Sequence, residues 1–257
     1  MNDDPTAPSA SGASRVLACV FAHPDDETFS SGATLARYSA AGAACHLLCA
    51  TDGDAGTSSD IEVSSREELG RLRRAELHEA ARVLGARSAH SLGLLDGGLP
   101  EADADALIGG IVRFLRAHRP QVVITFGPEG APNLHRDHRA ISRVATAAFF
   151  LAGLPDAYAD QLEGPDALAP HAPHRLYYVS WEPPGPGAGF PHAVPLTARI
   201  DPRPWNDVKR AAFDAHRTQH VLRDAFERIA MKDTEAFALA AGTPQPRAVV
   251  EDLFEGL

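Results

Sequence analysis

Val16-Leu17-Ala18-Cys19-Val20-Phe21 runs straight into Ala22-His23-Pro24-Asp25-Asp26-Glu27, and this junction decides how the chain reads. From Arg15 to Ala22 the apolar run is a buried strand, and Pro24 fixes the turn at its tip. One imidazole and three carboxylates follow within a few positions. So many ionisable groups cannot be buried cheaply without a partner, and a divalent metal is the simplest one. A second cluster, His135-Arg136-Asp137-His138, lies just beyond another apolar run, Val122-Val123-Ile124-Thr125-Phe126. Two such clusters at two strand ends predict one shared site.

Working outward, strand and helix signals alternate. The sequence predicts a helix over Glu27–Ala41, a strand over Ala43–Thr51 and a turn-rich loop from Asp52 to Asp60. An amphipathic helix over Arg66–Gly85, a short strand at Ala89–Leu92, a loop around Asp96, a helix at Ala104–His118, a strand at Gln121–Phe126 and a helix at Asp137–Leu151 follow. This alternation predicts an α/β, Rossmann-like fold, with a mostly parallel sheet flanked by helices and right-handed crossovers. Ligands of such sheets sit beyond the carboxyl ends of the strands. Both clusters fall there, as do Asp52, Asp54 and Asp96.

The C-terminal part is less regular. A Pro/Ala/Asp-rich connection spans Leu154–His174, with strands expected at Arg175–Trp181 and Ala193–Ile200 and a Gly/Pro loop at Pro183–Pro191 between them. A helix is expected over Trp205–His216, with helical turns continuing to about Leu239. No composition break divides the 257 residues, so one domain over 15–257 is expected, preceded by a flexible tail over 1–14.

Composition narrows the class. Hydrophobic residues at 44% and charged residues at 23% are ordinary for a soluble globular chain with a full core. A net charge of -10 disfavours non-specific attraction to nucleic acid or anionic membrane. No segment is apolar enough to span a bilayer, and the N-terminus lacks the basic start and apolar stretch of a signal peptide. Cys19, Cys45 and Cys49 lie in apolar runs and are odd in number, which reads as buried reduced thiols in a cytoplasmic protein.

The clusters carry specific chemistry. His23 and Asp26 are three positions apart, so one turn of chain aims both at a point, and His138 completes a two-histidine, one-carboxylate set. Three protein ligands with an open position define a catalytic zinc site. Asp25 stands beside a ligand, ready to accept a proton from metal-bound water. His135 is placed to stabilise an oxyanion or protonate a leaving amine, and Asp137 to orient a ligating histidine. Two rival readings remain open. His23-x-Asp25 with His138 also spells the facial triad of non-haem iron oxygenases. A metal- or sugar-binding protein without turnover would need only the ligands.

Ala22-His23-Pro24-Asp25-Asp26-Glu27 with His135-x-Asp137-His138 resembles the LmbE/PIG-L family of zinc-dependent N-acetylglucosaminyl deacetylases, which includes the deacetylases of mycothiol and bacillithiol biosynthesis. The resemblance runs on through Arg73-Arg74-Ala75-Glu76, Leu92-Gly93-Leu94-Leu95-Asp96-Gly97 and His216-Arg217-Thr218-Gln219. It implies one Zn2+ per chain on His23, Asp26 and His138, with Asp25 as general base and His135 as oxyanion or acid histidine. Arg73 matches an arginine that reaches into the substrate site, and Asp96 lies where substrate-contacting acids occur. Asp54 stands where many relatives have Glu, on the same pocket wall. His216 is read either as a site residue or as core. The implied partner is a small N-acetylated sugar or sugar conjugate, with a homo-oligomer possible since relatives vary. Leu134-His135-Arg136 departs from the family pattern before the second cluster, which bears on the substrate rather than the metal.

Overall fold

The computed structural model describes residues 15–58, 61–181 and 195–257. The expected tail, the Gly/Pro loop at 183–191 and the end of the loop at 52–60 fall wholly or partly outside them. Strand β1 (Val16–Phe21) leads into helix α1 (Asp26–Ala40), β2 (Ala44–Thr51), α2 (Arg66–Val83), β3 (Ser88–Leu94), α3 (Ala104–His118), β4 (Val122–Phe126), α4 (Arg136–Leu151) and β5 (Arg175–Ser180). After these come β6 (Ala198–Ile200), α5 (Asn206–Ala215), α6 (Arg223–Ile229) and β7 (Glu235–Gly242).

Among the described residues the strands form a seven-stranded sheet in the order β3-β2-β1-β4-β5-β7-β6. The first five pair in parallel, while β7 runs antiparallel to both β5 and β6. The chain winds outward from β1 to β3 and then returns to place β4 on the other side of β1. Right-handed crossovers put helices on both faces. One layer packs α1, α2 and α5 together, and the other packs α3 against α4. Leu17–Val20 and Val122–Ile124 are fully buried, as the central strands of a sheet covered on both faces must be. The reversal of strand order between β1 and β4 opens a crevice at their carboxyl ends. Both clusters follow these two strands.

The strand expected over Ala193–Ile200 is observed at Ala198–Ile200, its first residues lying outside those described. One expectation is corrected outright. The helical turns after residue 216 stop at Ile229, and Glu235–Leu239 is strand rather than helix. Its alanines favour helix, but pairing with β5 and β6 overrides that weak preference.

Buried arginines organise the irregular segments. Arg116 donates to the carbonyls of Ala152, Leu154, Ala157 and Tyr158, and Arg175 to those of Thr243, Pro244, Leu253 and Glu255. Each gives buried loop carbonyls the partners that secondary structure does not supply.

Candidate active site

Helix α1 begins abruptly because Asp25, its N-cap residue, takes a positive φ of 110°. That is an uncommon conformation for a residue with a side chain, and it costs about 1–3 kcal/mol. The contacts around it hold the strain. The Asp25 N–H donates to Glu27 Oε2 (3.0 Å), and the Arg73 guanidinium donates to the carbonyl of Pro24 and to Asp25 Oδ2 (3.0 Å). Arg73 Nη1 donates in turn to the Gly53 carbonyl (2.7 Å). Gly53 has φ +66° and passes so close to the guanidinium that a Cβ there would collide with it.

Asp26 joins the two predicted histidine ligands. Its Oδ2 accepts the His23 N–H (2.8 Å) and lies 3.3 Å from His23 Nδ1, while Oδ1 lies 3.2 Å from His138 Nε2. The far nitrogen of His23, Nε2, faces Asp96 Oδ1 (3.0 Å) and Asp137 Oδ2 (3.3 Å). Those two carboxylates therefore hold the outer side of the ring and leave Nδ1 turned to Asp26. Asp137 also accepts the Gly97 N–H at 2.7 Å, which ties the loop after β3 to the start of α4. The His138 ring stacks on Phe126, the last residue of β4, with centroids 3.9 Å apart and planes at 11°.

His135 caps α4: its Nδ1 accepts the Asp137 N–H at 3.2 Å. That contact places the proton of the neutral ring on Nε2. Burial, together with the nearby rings of His23 and His138, lowers the pKa of His135 and favours the neutral form.

The charges call for a cation. Four carboxylates, Asp25, Asp26, Asp96 and Asp137, converge with Arg73 as the one fixed positive charge among these contacts. Burial opposes the charged form of His23, but Asp26 and the hydrogen bonds to Asp137, Asp26 and Asp96 outweigh it and raise its pKa well above the ordinary value. Burial would likewise raise Asp26, yet His138 and His23 hold it far below the carboxylate range. Asp25 moves the other way. Burial pushes it up to about 6 against the pull of Arg73, with the Asp26 charge adding to the rise.

Donor atoms of His23, His135 and His138 lie within 4.8 Å of one another, as do those of His23, Asp96 and Asp137. His23 belongs to both triplets. Asp26 is in neither triplet, yet its carboxylate stands between His23 Nδ1 and His138 Nε2, while the Nδ1 of His135 serves as the α4 cap and Asp96 and Asp137 share the outer nitrogen of His23. The iron-triad spelling is not assembled, since the Asp25 carboxylate is bonded to Arg73 while Asp26 stands between the histidines.

These residues wall a cavity of about 490 Å³, in the usual range for small-molecule sites. His23, Asp25, Asp26, His135 and His138 line it, as do Arg73 and Asp96. Arg73 is nonetheless only 2% exposed, and its guanidinium is committed to Asp25 and two carbonyls, so it braces the proposed base rather than reaching into open space. Asp54 does not line the cavity. It accepts the Arg66 Nε–H and the Asp96 N–H, both at 2.8 Å, and so props the loop that carries Asp96. His216 is fully buried behind the site, its Nε2 2.8 Å from Glu27 Oε1. The pocket-wall reading of Asp54 and the substrate-contact reading of His216 are thus corrected: each acts through a neighbour.

The sequence placed Glu27, Glu76 and Gln219 within its motifs but gave them no role in the site. Glu27 links His216 to the backbone of Asp25. Glu76, one helical turn from Arg73, accepts from the N–H and hydroxyl of Thr218, the neighbour of the cavity-lining Gln219. Phe29, Gln219, Leu222 and Ile229 complete the cavity wall from α1 and the C-terminal segments. The Arg73-x-x-Glu76 spacing was visible in the sequence; the partners of its two side chains were not.

A profile of the family described as PIG-L, GlcNAc-PI de-N-acetylase, matches residues 18–149. A 1D-myo-inositol 2-acetamido-2-deoxy-α-D-glucopyranoside deacetylase of Rhodococcus jostii is 32% identical, over 95% of this chain and 98% of that protein. Among solved structures, N,N'-diacetylchitobiose deacetylase of Pyrococcus horikoshii superposes with a TM-score of 0.73 at 24% identity, covering 88% of this chain and 84% of that one. GalB, a 4-carboxy-2-hydroxymuconate hydratase of Pseudomonas putida, gives 0.67 at 21% identity, covering 93% and 99%. The last two likenesses speak to the fold alone, and their different reactions show that the fold by itself does not choose the chemistry. The profile match across both clusters, with a relative 32% identical along nearly its whole length, decides the family: this chain belongs to the PIG-L de-N-acetylases.

Proposed function

We propose that this protein is a zinc-dependent hydrolase that removes the acetyl group from an N-acetylglucosamine-type sugar or conjugate. The observation that carries the reading is the presence, on one cavity wall, of the linked set His23, Asp26 and His138 together with Asp25 and His135. One zinc ion per chain would be held by the linked set, supplying a water of lowered pKa and a Lewis acid for the amide carbonyl.

The remaining work falls to the protein's own groups. Asp25 is the general base: buried, ionisable near neutrality and fixed by Arg73 at the helix start. His135 offers a fixed Nε2–H to the oxygen that gains charge when the carbonyl is attacked, because its other nitrogen is used in capping α4. Asp137 and Asp96 keep His23 in one ring orientation. The sugar is carried over from the relatives, whose named substrate bears a 2-acetamido group on glucose.

No helix among the described residues is long and apolar enough to cross a membrane. The three cysteines are free and buried, which supports a cytoplasmic location. The decisive experiment measures acetate release and metal content together, across GlcNAc, its inositol and malate conjugates, and chitobiose. Acetate from at least one, dependent on about one zinc per chain, is expected. A zinc-loaded protein that releases acetate from none of them would overturn the reading.

A further inference from the structure

The segment His216-Arg217-Thr218-Gln219 is anchored twice by buried carboxylates. His216 Nε2 lies 2.8 Å from Glu27 Oε1, and Thr218 donates its N–H (2.9 Å) and its hydroxyl (2.6 Å) to Glu76. Gln219 comes next in the chain, is 3% exposed and lines the main cavity. Its N–H donates to the His216 carbonyl at 2.9 Å, so its backbone is held to the same anchors.

The two ends of its carboxamide have different work. Nε2 donates to the Thr57 carbonyl at 3.3 Å and to Thr218 Oγ1 at 3.1 Å, which uses both of its hydrogens. A carbonyl can only accept, and the Thr218 hydroxyl has given its own hydrogen to Glu76, so it accepts as well. Turning the amide over would set its oxygen against two acceptors. The network therefore fixes which end is nitrogen. Oε1 is left on the other side. Among the described residues nothing donates to it, and it is not sealed away from solvent, so it faces the cavity that Gln219 lines.

A short chain of contacts leads from this oxygen to the proposed base. Thr57 follows Gly56, and both line the cavity. Gly56 passes so close to Arg73 that a Cβ there would stand 2.5 Å from Nη1, and Arg73 in turn holds Asp25. A carboxamide oxygen carries no net charge and can only accept. It therefore selects its ligand by the direction of a donor, a hydroxyl or an N–H, and an acetamido sugar offers both.

We propose that Gln219 is a specificity-determining residue, whose Oε1 accepts a hydrogen bond from a donor on the substrate, either a sugar hydroxyl or the acetamido N–H. The proposal rests on the deacetylase reading and adds a contact by which this wall recognises the sugar.

The test is Gln219→Met, which keeps the length of the side chain and removes the acceptor. Acetate release by the zinc-loaded enzyme is followed on GlcNAc, on analogues each lacking one ring hydroxyl, and on the ester in which oxygen replaces the amide N–H. Loss of one neutral hydrogen bond should lower kcat/KM on GlcNAc by about three- to tenfold. The variant should lose the same factor on every compound except the one that lacks the partner group, where it should lose nothing. A deoxy sugar as the exception makes the donor that hydroxyl; the ester as the exception makes it the N–H. Unchanged kcat/KM on GlcNAc would overturn the proposal. So would an equal loss on every compound, since Gln219 would then only hold the wall together. Gln219→Asn, which withdraws the same amide by one methylene, should give the same pattern and serves if the Met variant does not fold. If the unmutated enzyme releases acetate from none of the amides, the deacetylase reading has failed. Calorimetric affinities of the zinc-loaded protein for the same compounds then judge Gln219 by the same pattern, and absence of GlcNAc binding overturns it.

Discussion

Replacing Arg73 with Met separates two roles for this arginine, because they predict different pH profiles. The sequence resemblance implied a substrate contact; the structure makes Arg73 the counter-charge of Asp25, at 3.0 Å and almost without solvent. A hydrogen bond to a charged group contributes about 1.5–3 kcal/mol, and each pKa unit corresponds to about 1.4 kcal/mol. Losing the contact should therefore raise Asp25 by about one to two units above its already elevated value of about 6. A general base must be ionised, so the acidic limb of kcat/KM should move upward by the same amount. At pH 7 the ionised share would fall from about nine tenths to between about a half and a tenth, a loss of about two- to tenfold that recovers by about pH 9. Arg73→Lys keeps the charge and should move the limb less. The assay is acetate release across the pH range at low substrate, with zinc content measured alongside. A uniform loss at every pH, with the limb unmoved, would refute this reasoning and return Arg73 to the substrate.

Three further outcomes are expected. His138→Ala should abolish stoichiometric zinc, measured by metal analysis of the folded protein, whereas Asp137→Asn should weaken zinc affinity by about 10- to 100-fold; equal retention in both would undo the ligand assignment. Asp25→Asn should keep its zinc yet lose about 10²–10⁴ in kcat, and near-normal turnover would reassign the base. The third outcome concerns acid stability at the far end of the sheet, where His46 stacks on His118 at 4.0 Å and His90 lies 5.2 Å from the same ring. Burial and the charges of His118, His90 and Arg87 lower His46 to about 4; burial with His78 lowers His90, and burial with His90 lowers His118. Groups whose folded pKa is depressed bind fewer protons in the native state, so stability should be full above about pH 6.5 and decline as pH falls toward 4. Since the cluster is half exposed, His46→Gln should recover only about 1 kcal/mol at pH 5 in urea titrations, and no recovery would rule out this source of acid sensitivity.

Sequence carried the winding of the sheet as far as Leu151, because each strand there is a short apolar run and each helix has an apolar stripe. It misread Glu235–Leu239, where alanines favour one structure locally and hydrogen bonding to distant strands imposes another. Within the site, legibility followed sequence distance. His23 and Asp26, or His135 and His138, are near neighbours whose shared purpose shows in their spacing. Arg73, Asp54 and His216 carry equally plain chemistry, but what each charge meets depends on how separate elements pack: Arg73 with Asp25, Asp54 with Arg66 and the Asp96 backbone, His216 with Glu27. Spacing cannot report a partner that packing alone brings within reach.

Helix α1 is broken at Ser31 (φ -147°, ψ 19°), and Glu235 of β7 accepts the N–H groups of Ala33 and Thr34 just past the break. The helix that starts at the candidate metal site is thus completed by a residue some 200 positions later. Farther along the same helix, Tyr38 donates to Asp252 and accepts the Leu253 N–H. A nascent chain emerging from the ribosome therefore exposes its ligating residues well before Glu235, the residue that completes their helix, has been made. Metal loading should accordingly wait for the synthesis of Glu235. A chain halted before Glu235 should fail to retain zinc despite containing His23, Asp26 and His138, and stable zinc uptake by such a fragment would disprove this order of events.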